Sequence, residues 1–157
     1  MCSSDLIVHR DMKPKNIFVV DPAHGGGVKL LDFGFAKFLR MRSVTAQGMV
    51  AGSPSYIAPE QWLGQGATLD GRVDVYGLAA VMFRALTGRP PFLASDLHEL
   101  LVLVTSAPRP SLHALRPDLP PAVDDWVEQA LAIDREERFS TVRALLLAFA
   151  HANAGKA

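Results

Sequence analysis

The sequence contains a single cysteine, Cys2, among its 157 residues. One cysteine excludes a disulfide framework and a zinc site built from cysteines. The longest apolar runs, at 100–104 and 144–150, are far shorter than the roughly 18 residues that span a bilayer. The first residues show neither the basic nor the apolar part of a leader peptide. We therefore expect no membrane segment in this chain and a cytoplasmic location.

The chain also lacks an excess of charge of either sign, with 16 Lys and Arg against 16 Asp and Glu. A neutral balance provides no electrostatic surface for nucleic acid, so we expect no nucleic-acid partner. Hydrophobic residues make up 49% of the sequence and charged residues 20%, which excludes a disordered, solvating tail. The length suits one domain with a hydrophobic core, although the mean hydropathy of +0.16 is high for such a domain.

Local patterns predict a short β-hairpin followed by helices. Strands are expected at residues 17–20 and 28–31, because both runs are mainly apolar and a turn-forming segment with three glycines separates them. Residues 33–56 show no sustained period, and an irregular stretch of that length is usually functional. Capping residues and glycine stops predict helices at 70–87, from Ser95 or Asp96 to about 105, at 122–132, and at 140–152 with Ser140 as N-cap. A Pro-rich link is expected at 108–121.

Three motifs carry the chemistry of this sequence. Residues 9–16 read HRDMKPKN, residues 32–34 read DFG and residues 58–60 read APE. In this order they resemble the catalytic loop, the metal-binding turn and the end of the activation segment of the eukaryotic-type (Hanks-type) Ser/Thr protein kinases, most closely the bacterial branch. The resemblance extends over the whole chain but covers only the C-terminal lobe of that domain.

The resemblance implies an α+β, mainly helical fold, a protein-kinase-like C-terminal lobe with a small β-hairpin. It assigns residues 1–152 to a partial protein kinase domain and 153–157 to a tail. The implied activity is transfer of the ATP γ-phosphate to Ser or Thr hydroxyls of a protein substrate, with ATP and magnesium as cofactors.

The same resemblance implies roles for the residues of the catalytic loop and the hairpin. Asp11 would accept the proton of the substrate hydroxyl, and Lys13 would contact the γ-phosphate. Asn16 and Asp32 would hold magnesium, which prefers carboxylate and carbonyl oxygens. Phe18 occupies the position of an apolar residue under the adenine ring. It is also interpreted as a plain strand residue that faces the core, and both interpretations can hold.

Further residues are implied in substrate docking and regulation. Ser53 occupies the position of a hydroxyl residue that contacts the catalytic Asp and Lys, with a plain turn residue as the alternative. Arg10, next to Asp11, is typical of kinases that are switched on by phosphorylation of the activation loop. Ser43 and Thr45 are the candidate phosphorylation sites, unless they only keep the loop soluble.

Five residues are expected to have structural roles. His9 should pack behind the DFG turn, of which Phe33 is the aromatic member. Asp74 should accept backbone hydrogen bonds from the catalytic loop, since a buried carboxylate needs such partners. Glu60 should form a buried ion pair with Arg138.

The sequence lacks the glycine-rich loop, the ATP-binding Lys and its helix Glu that a complete kinase domain requires. The first interpretation is a fragment of an active Ser/Thr kinase. A non-catalytic binding or decoy module is the alternative, as is half of a split kinase completed by a separate N-terminal lobe. Apolar surface that such a lobe would cover could instead cause self-association.

Overall fold

The computed structural model describes residues 8–31, 54–64 and 70–154 of the chain. Among these residues, two strands precede six α-helices. The strands are β1 (Ile17–Val19) and β2 (Val28–Leu30), and the helices are α1 (Pro59–Trp62), α2 (Arg72–Thr87), α3 (Leu97–Ser106), α4 (Leu112–Leu115), α5 (Ala122–Ala130) and α6 (Val142–Ala154). Short 3-10 turns lie at Pro14–Asn16, Pro22–His24, Pro54–Tyr56 and Arg135–Glu137. The mainly helical α+β fold with one hairpin is thus confirmed.

Helix α2 forms the centre of the hydrophobic core. Its residues are apolar on nearly all sides, which is typical of a helix that is buried all round, and Val75, Tyr76 and Phe83 are fully buried. The helix contacts α4, α5, α6 and the Pro54–Tyr56 turn. It ends at Gly88, whose φ of 79° allows the left-handed stop and whose N–H donates to the carbonyl of Arg84 at 2.8 Å.

The capping residues of the later helices were predicted only in part. Asp96 caps α3, because its carboxylate accepts a hydrogen bond from the Glu99 N–H at 2.8 Å. Ser95 instead donates both its N–H and its hydroxyl to the Glu99 carboxylate. The prediction of Ser140 as the cap of α6 was wrong by one residue, since the Thr141 hydroxyl accepts the Ala144 N–H at 3.1 Å.

The predicted Pro-rich link contains a helix that the sequence analysis missed. The four residues of α4 are too few for a periodic pattern. Ser111 caps this helix, and Asp124 on α5 accepts hydrogen bonds from the Ser111 hydroxyl at 2.6 Å and the His113 N–H at 2.8 Å. Burial would raise the pKa of Asp124, but the hydrogen bonds from Ser111 and His113 hold it below its usual value. A neighbouring helix therefore supplies the stabilisation that this short helix lacks locally.

The hairpin is antiparallel and presents apolar side chains to solvent. Its register pairs Ile17 with Leu30 and Val19 with Val28, so these four side chains lie on one face. Val19 and Val28 are 74% and 64% exposed. This exposed surface agrees with the high mean hydropathy of the sequence.

None of the described helices combines the length and the hydropathy that a membrane-spanning helix requires. The cytoplasmic location and the division at residue 152 stay predictions.

Candidate active site

The catalytic loop is held on helix α2 by one buried carboxylate. Asp74 accepts the His9 N–H at Oδ2 and the Arg10 N–H at Oδ1, both at 2.7 Å. Burial raises the pKa of Asp74, and the two N–H donors oppose that rise. Arg10 has a φ of 64°, a left-handed conformation that is uncommon outside glycine. The backbone just before Asp11 is therefore fixed in an unusual conformation by a residue 65 positions away from His9.

Asp11, Lys13 and Asn16 form one hydrogen-bonded cluster. The Lys13 ammonium lies 2.8 Å from Asp11 Oδ2, and the Asn16 amide nitrogen donates to the same oxygen at 2.9 Å. Asn16 also donates to the Asp11 carbonyl at 2.8 Å. The side chains of Lys13 and Asp11 are 10% and 18% exposed. The loop thus presents a carboxyl group and an amino group side by side in a partly dehydrated position, where electrostatic interactions are strengthened.

The loop is also attached to the hairpin. His9 Nδ1 accepts the Asp11 N–H at 3.3 Å, which leaves Nε2 as the protonated nitrogen that donates to the Leu31 carbonyl at 3.1 Å. The Leu31 N–H donates to the Asn16 carbonyl at 2.8 Å. The end of β2 therefore lies beside Asn16, and His9 supports both.

The catalytic loop and the segment that carries the APE motif pack closely together, and both lie against helix α2. A Cβ atom added at Gly77 on α2 would lie 2.7 Å from Met12 Cβ and 3.3 Å from the Tyr56 carbonyl oxygen. The absence of a side chain at this position lets both segments approach α2. The Tyr56 hydroxyl accepts a hydrogen bond from Arg84 at 2.8 Å, which attaches the Pro54–Tyr56 turn to the end of α2.

Glu60, the last residue of the APE motif, forms a bidentate ion pair with Arg138. The guanidinium nitrogens Nη1 and Nη2 lie 2.7 and 2.8 Å from the two carboxylate oxygens. Arg138 further donates to the carbonyls of Ala132 and Ile133 and lies over the ring of Tyr76, with 5.0 Å between Cζ and the ring centroid. All three nitrogens of this buried guanidinium therefore have hydrogen-bond partners, as a buried charge requires.

The remaining predicted site residues have different outcomes. Phe18 is 59% exposed on the hairpin and so does not face the core of the described residues, while its position under an adenine ring stays a prediction. The predictions for Asp32, Phe33, Ser43, Thr45 and Ser53 fall outside the described residues. The expected hydrogen bonds of Asp74 with the catalytic loop and the expected ion pair of Glu60 with Arg138 are present. The packing of His9 behind the DFG turn stays a prediction, because residues 32–34 lie outside the described residues.

A magnesium ion fits the donor atoms that Asn16 offers. Its amide nitrogen is committed to Asp11, so the side-chain atom available for a metal is the carbonyl oxygen, a ligand type that magnesium prefers. Within the described residues, no group of three or more His, Cys, Asp or Glu side chains forms a different metal site. The expected second ligand, Asp32, lies outside the described residues.

Two residues near the loop were missed by the sequence analysis. Gln61, next to the APE motif, donates from its side chain to the Arg10 carbonyl at 3.3 Å. Gly77 lies in the middle of a helical pattern, and an isolated glycine in that position is a signal of close packing that could have identified it.

The fold and this cluster match the C-terminal lobe of a protein kinase domain, and comparison with known proteins agrees. The model of the protein kinase domain matches residues 1–149. The chain therefore belongs to the protein kinase family.

Three bacterial proteins illustrate the similarity. Serine/threonine-protein kinase Pkn1 of Myxococcus xanthus is 40% identical over 140 residues, which cover 88% of this chain and 20% of that protein. PknA of Mycobacterium tuberculosis is 37% identical over 150 residues, which cover 96% of this chain and 33% of that protein. Among solved structures, the PknI kinase domain of Mycobacterium tuberculosis matches with a TM-score of 0.63 and 31% identity, over 94% of this chain and 46% of that chain. The chain thus spans about a fifth to a third of these two curated relatives.

Proposed function

We propose that this chain is the catalytic and peptide-docking part of a Ser/Thr protein kinase. The observation that carries the proposal is the Asp11 cluster, in which a carboxylate contacts Lys13 and Asn16 on a loop supported by Asp74. Relatives that bear the name Ser/Thr protein kinase support the choice of substrate class.

In this proposal Asp11 orients the substrate hydroxyl and accepts its proton as the γ-phosphoryl group is transferred. Lys13 offsets negative charge that develops on the transferred group, since phosphoryl transfer depends mainly on positioning and electrostatic stabilisation. Asn16 and Asp32 would hold magnesium, which neutralises phosphate charge when it is bound. Phe18 would lie under the adenine ring of ATP.

The nucleotide-positioning parts of the family are not among the 157 residues, because the eight residues before His9 contain no glycine-rich loop and neither Lys nor Glu. We therefore propose that the chain by itself has no measurable phosphotransfer activity. It would be active together with a nucleotide-binding lobe, which would cover the exposed hairpin face that includes Val19 and Val28.

One experiment compares the 157-residue chain with the same chain joined to the nucleotide-binding part of Pkn1. Transfer of labelled phosphate from magnesium-ATP to Ser, Thr and Tyr peptides would be measured. We expect labelling of Ser and Thr peptides by the joined protein only. Asp11→Asn in that protein should lower the rate by about 10²- to 10⁴-fold, the range for loss of a catalytic base. Equal rates for Asp11→Asn and the parent would contradict the proposed function and favour a binding module.

Regulation by phosphorylation is part of the same proposal. The Arg10 side chain is exposed although its backbone N–H is held by Asp74, so its guanidinium is accessible to a phosphate on Ser43 or Thr45. Mass spectrometry of the active joined protein should find one of these residues phosphorylated. Full activity with both residues unmodified would exclude this regulation.

A further inference from the structure

Asp74 binds the backbone N–H of Arg10, a residue in the left-handed conformation. The Arg10 N–H donates to Asp74 Oδ1 at 2.7 Å, and the φ angle of Arg10 is 64°. Such a conformation persists in a non-glycine residue only where its surroundings determine it. The Arg10 carbonyl is part of the peptide that leads into Asp11, so the group that binds this carbonyl also influences the position of Asp11.

The side chain of Gln61 is that group. Its Nε2 donates to the Arg10 carbonyl at 3.3 Å, and its Oε1 accepts the Ala58 N–H at 3.1 Å. The two bonds fix the orientation of the amide, because a flipped amide would place oxygen against oxygen and N–H against N–H. One side chain therefore joins the catalytic loop to the APE segment, across 51 residues of sequence.

The two segments meet at a close-packed junction. The cavity between them, lined by Asp11, Ile57 and Gln61 among others, has a volume of about 10 Å³, which is at the lower limit for a single water molecule. Gln61 lies between Glu60 and Trp62 on α1, and Glu60 is held in place by its ion pair with Arg138. Gln61 consequently extends from a helix whose position is fixed, and its hydrogen bond ties the Arg10 carbonyl to that helix.

We propose that Gln61 is a positioning residue that sets the Arg10–Asp11 peptide and, through it, the Asp11 carboxylate. It would couple the peptide-docking segment to the catalytic loop, and Asp74 and Gln61 would each hold one polar atom of the Arg10 backbone. The functional part of this inference rests on the proposed kinase activity. Its structural part does not, which allows the two to be tested separately.

The structural test uses NMR spectroscopy of the 157-residue chain. Gln61→Glu keeps an acceptor for the Ala58 N–H but replaces the donor to the Arg10 carbonyl with an oxygen, and Gln61→Met removes both bonds. Gln129→Glu on the exposed side of α5 is the matched control. We expect both Gln61 variants to shift the carbonyl carbon signal of Arg10 and the side-chain amide signals of Asn16, which contacts Asp11. Gln129→Glu should leave these signals unchanged.

A residue that only stabilised α1 would change the denaturation midpoint without moving the Asn16 amide signals. Unchanged Arg10 and Asn16 signals in folded Gln61→Met would therefore overturn the proposal. If Gln61→Glu does not fold, the Arg10 and Asn16 signals of Gln61→Met decide the test, because this variant introduces no charge.

The kinetic test uses the joined protein described above. We expect Gln61→Glu to lower kcat for peptide phosphorylation by about tenfold, since small misplacements of a catalytic group have effects of this order or larger, with KM for ATP unchanged. An unchanged kcat would overturn the positioning role. A joined protein that transfers no phosphate would instead count against the proposed function, and the NMR result would still decide whether Gln61 sets the Arg10–Asp11 peptide.

Discussion

Glu60 and Arg138 form a buried bidentate ion pair although they are 78 residues apart in the sequence. The Arg138 side chain has no exposed surface and that of Glu60 is 5% exposed. The pair joins α1, which adjoins the catalytic loop, to the segment between α5 and α6. It therefore connects the candidate active site to the C-terminal part of the helical core.

Removal of one partner of this pair should destabilise the protein strongly. Arg138→Met leaves the Glu60 carboxylate buried without its cation, which costs about 3–5 kcal/mol in comparable cases. Urea denaturation of the purified chain measures the loss. The double variant Glu60→Met with Arg138→Met should recover part of it, because no unpaired charge is left. Asp118→Asn, which breaks the exposed pair with Arg116, should change the midpoint little, and an equal loss there would contradict the argument.

Asp74→Asn should destabilise the catalytic loop. The carboxylate accepts two backbone N–H groups, whereas an amide has one acceptor oxygen, so either His9 or Arg10 would lose its partner at a cost of about 1–3 kcal/mol. Hydrogen exchange of the two amides should increase in the variant.

The same variant has a predictable pH dependence. Because burial raises the pKa of Asp74 in the folded state, folding takes up a proton between the unfolded and the folded pKa. This contribution to stability is complete below the unfolded pKa and is lost as pH rises through the folded pKa. The difference in unfolding free energy between the parent and Asp74→Asn should therefore be larger in acid than at neutral pH. A difference that shrinks in acid would show that the folded-state pKa is not raised.

Tyr76→Phe should leave the stability at neutral pH unchanged or increase it. The Tyr76 hydroxyl is buried and has no hydrogen-bond partner in the described part of the chain, and an unsatisfied buried polar group costs about 1–3 kcal/mol. Phenylalanine keeps the ring that Arg138 covers. A loss of more than about 1 kcal/mol, the net value of a typical hydrogen bond, would show that the hydroxyl is satisfied.

Alkaline denaturation gives a second measurement on this residue. Burial raises the pKa of Tyr76 to about 12, so the unfolded chain ionises first and the parent loses stability from about pH 10, the ordinary tyrosine pKa, up to the folded value. Tyr76→Phe should lack this part of the decline. Identical alkaline curves for the two proteins would contradict the raised pKa.

Gly77→Ala should displace the catalytic loop from α2. Its Cβ would lie 2.7 Å from Met12 Cβ, closer than packed carbon atoms allow, and overpacking of this kind costs about 1–3 kcal/mol. Gly71→Ala is the matched control, because a Cβ there meets nothing within 4 Å. Urea denaturation and the NMR signal of the Met12 methyl group measure the two effects. A Gly77→Ala variant as stable as Gly71→Ala, with an unmoved Met12 signal, would exclude the close approach.

Much of the fold could be predicted from local patterns. The hairpin and the helices α2, α3, α5 and α6 were found within one to two residues at most ends, because apolar periodicity and glycine stops act within a few residues. Helix α4 was missed and the cap of α6 was misplaced by one residue. Helix α4 depends on Asp124 from another helix. The N-cap of α6 is a choice between the adjacent hydroxyl residues Ser140 and Thr141, which local patterns do not distinguish.

The sequence by itself determined the chemical groups of the site and their order, since Asp11, Lys13 and Asn16 lie within six residues and their motif identifies the family. Only the tertiary structure decided what holds these groups in place. Asp74 binds the loop from 64 and 65 residues away and Gln61 from 51, and Gly77 leaves the space in which Met12 and Tyr56 pack. The hydrogen bonds of Gln61 leave no motif of their own, because they depend on the distance between folded segments rather than on spacing along the chain. Gly77 leaves only an isolated glycine in a helical pattern, which indicates close packing but not the segments that pack there.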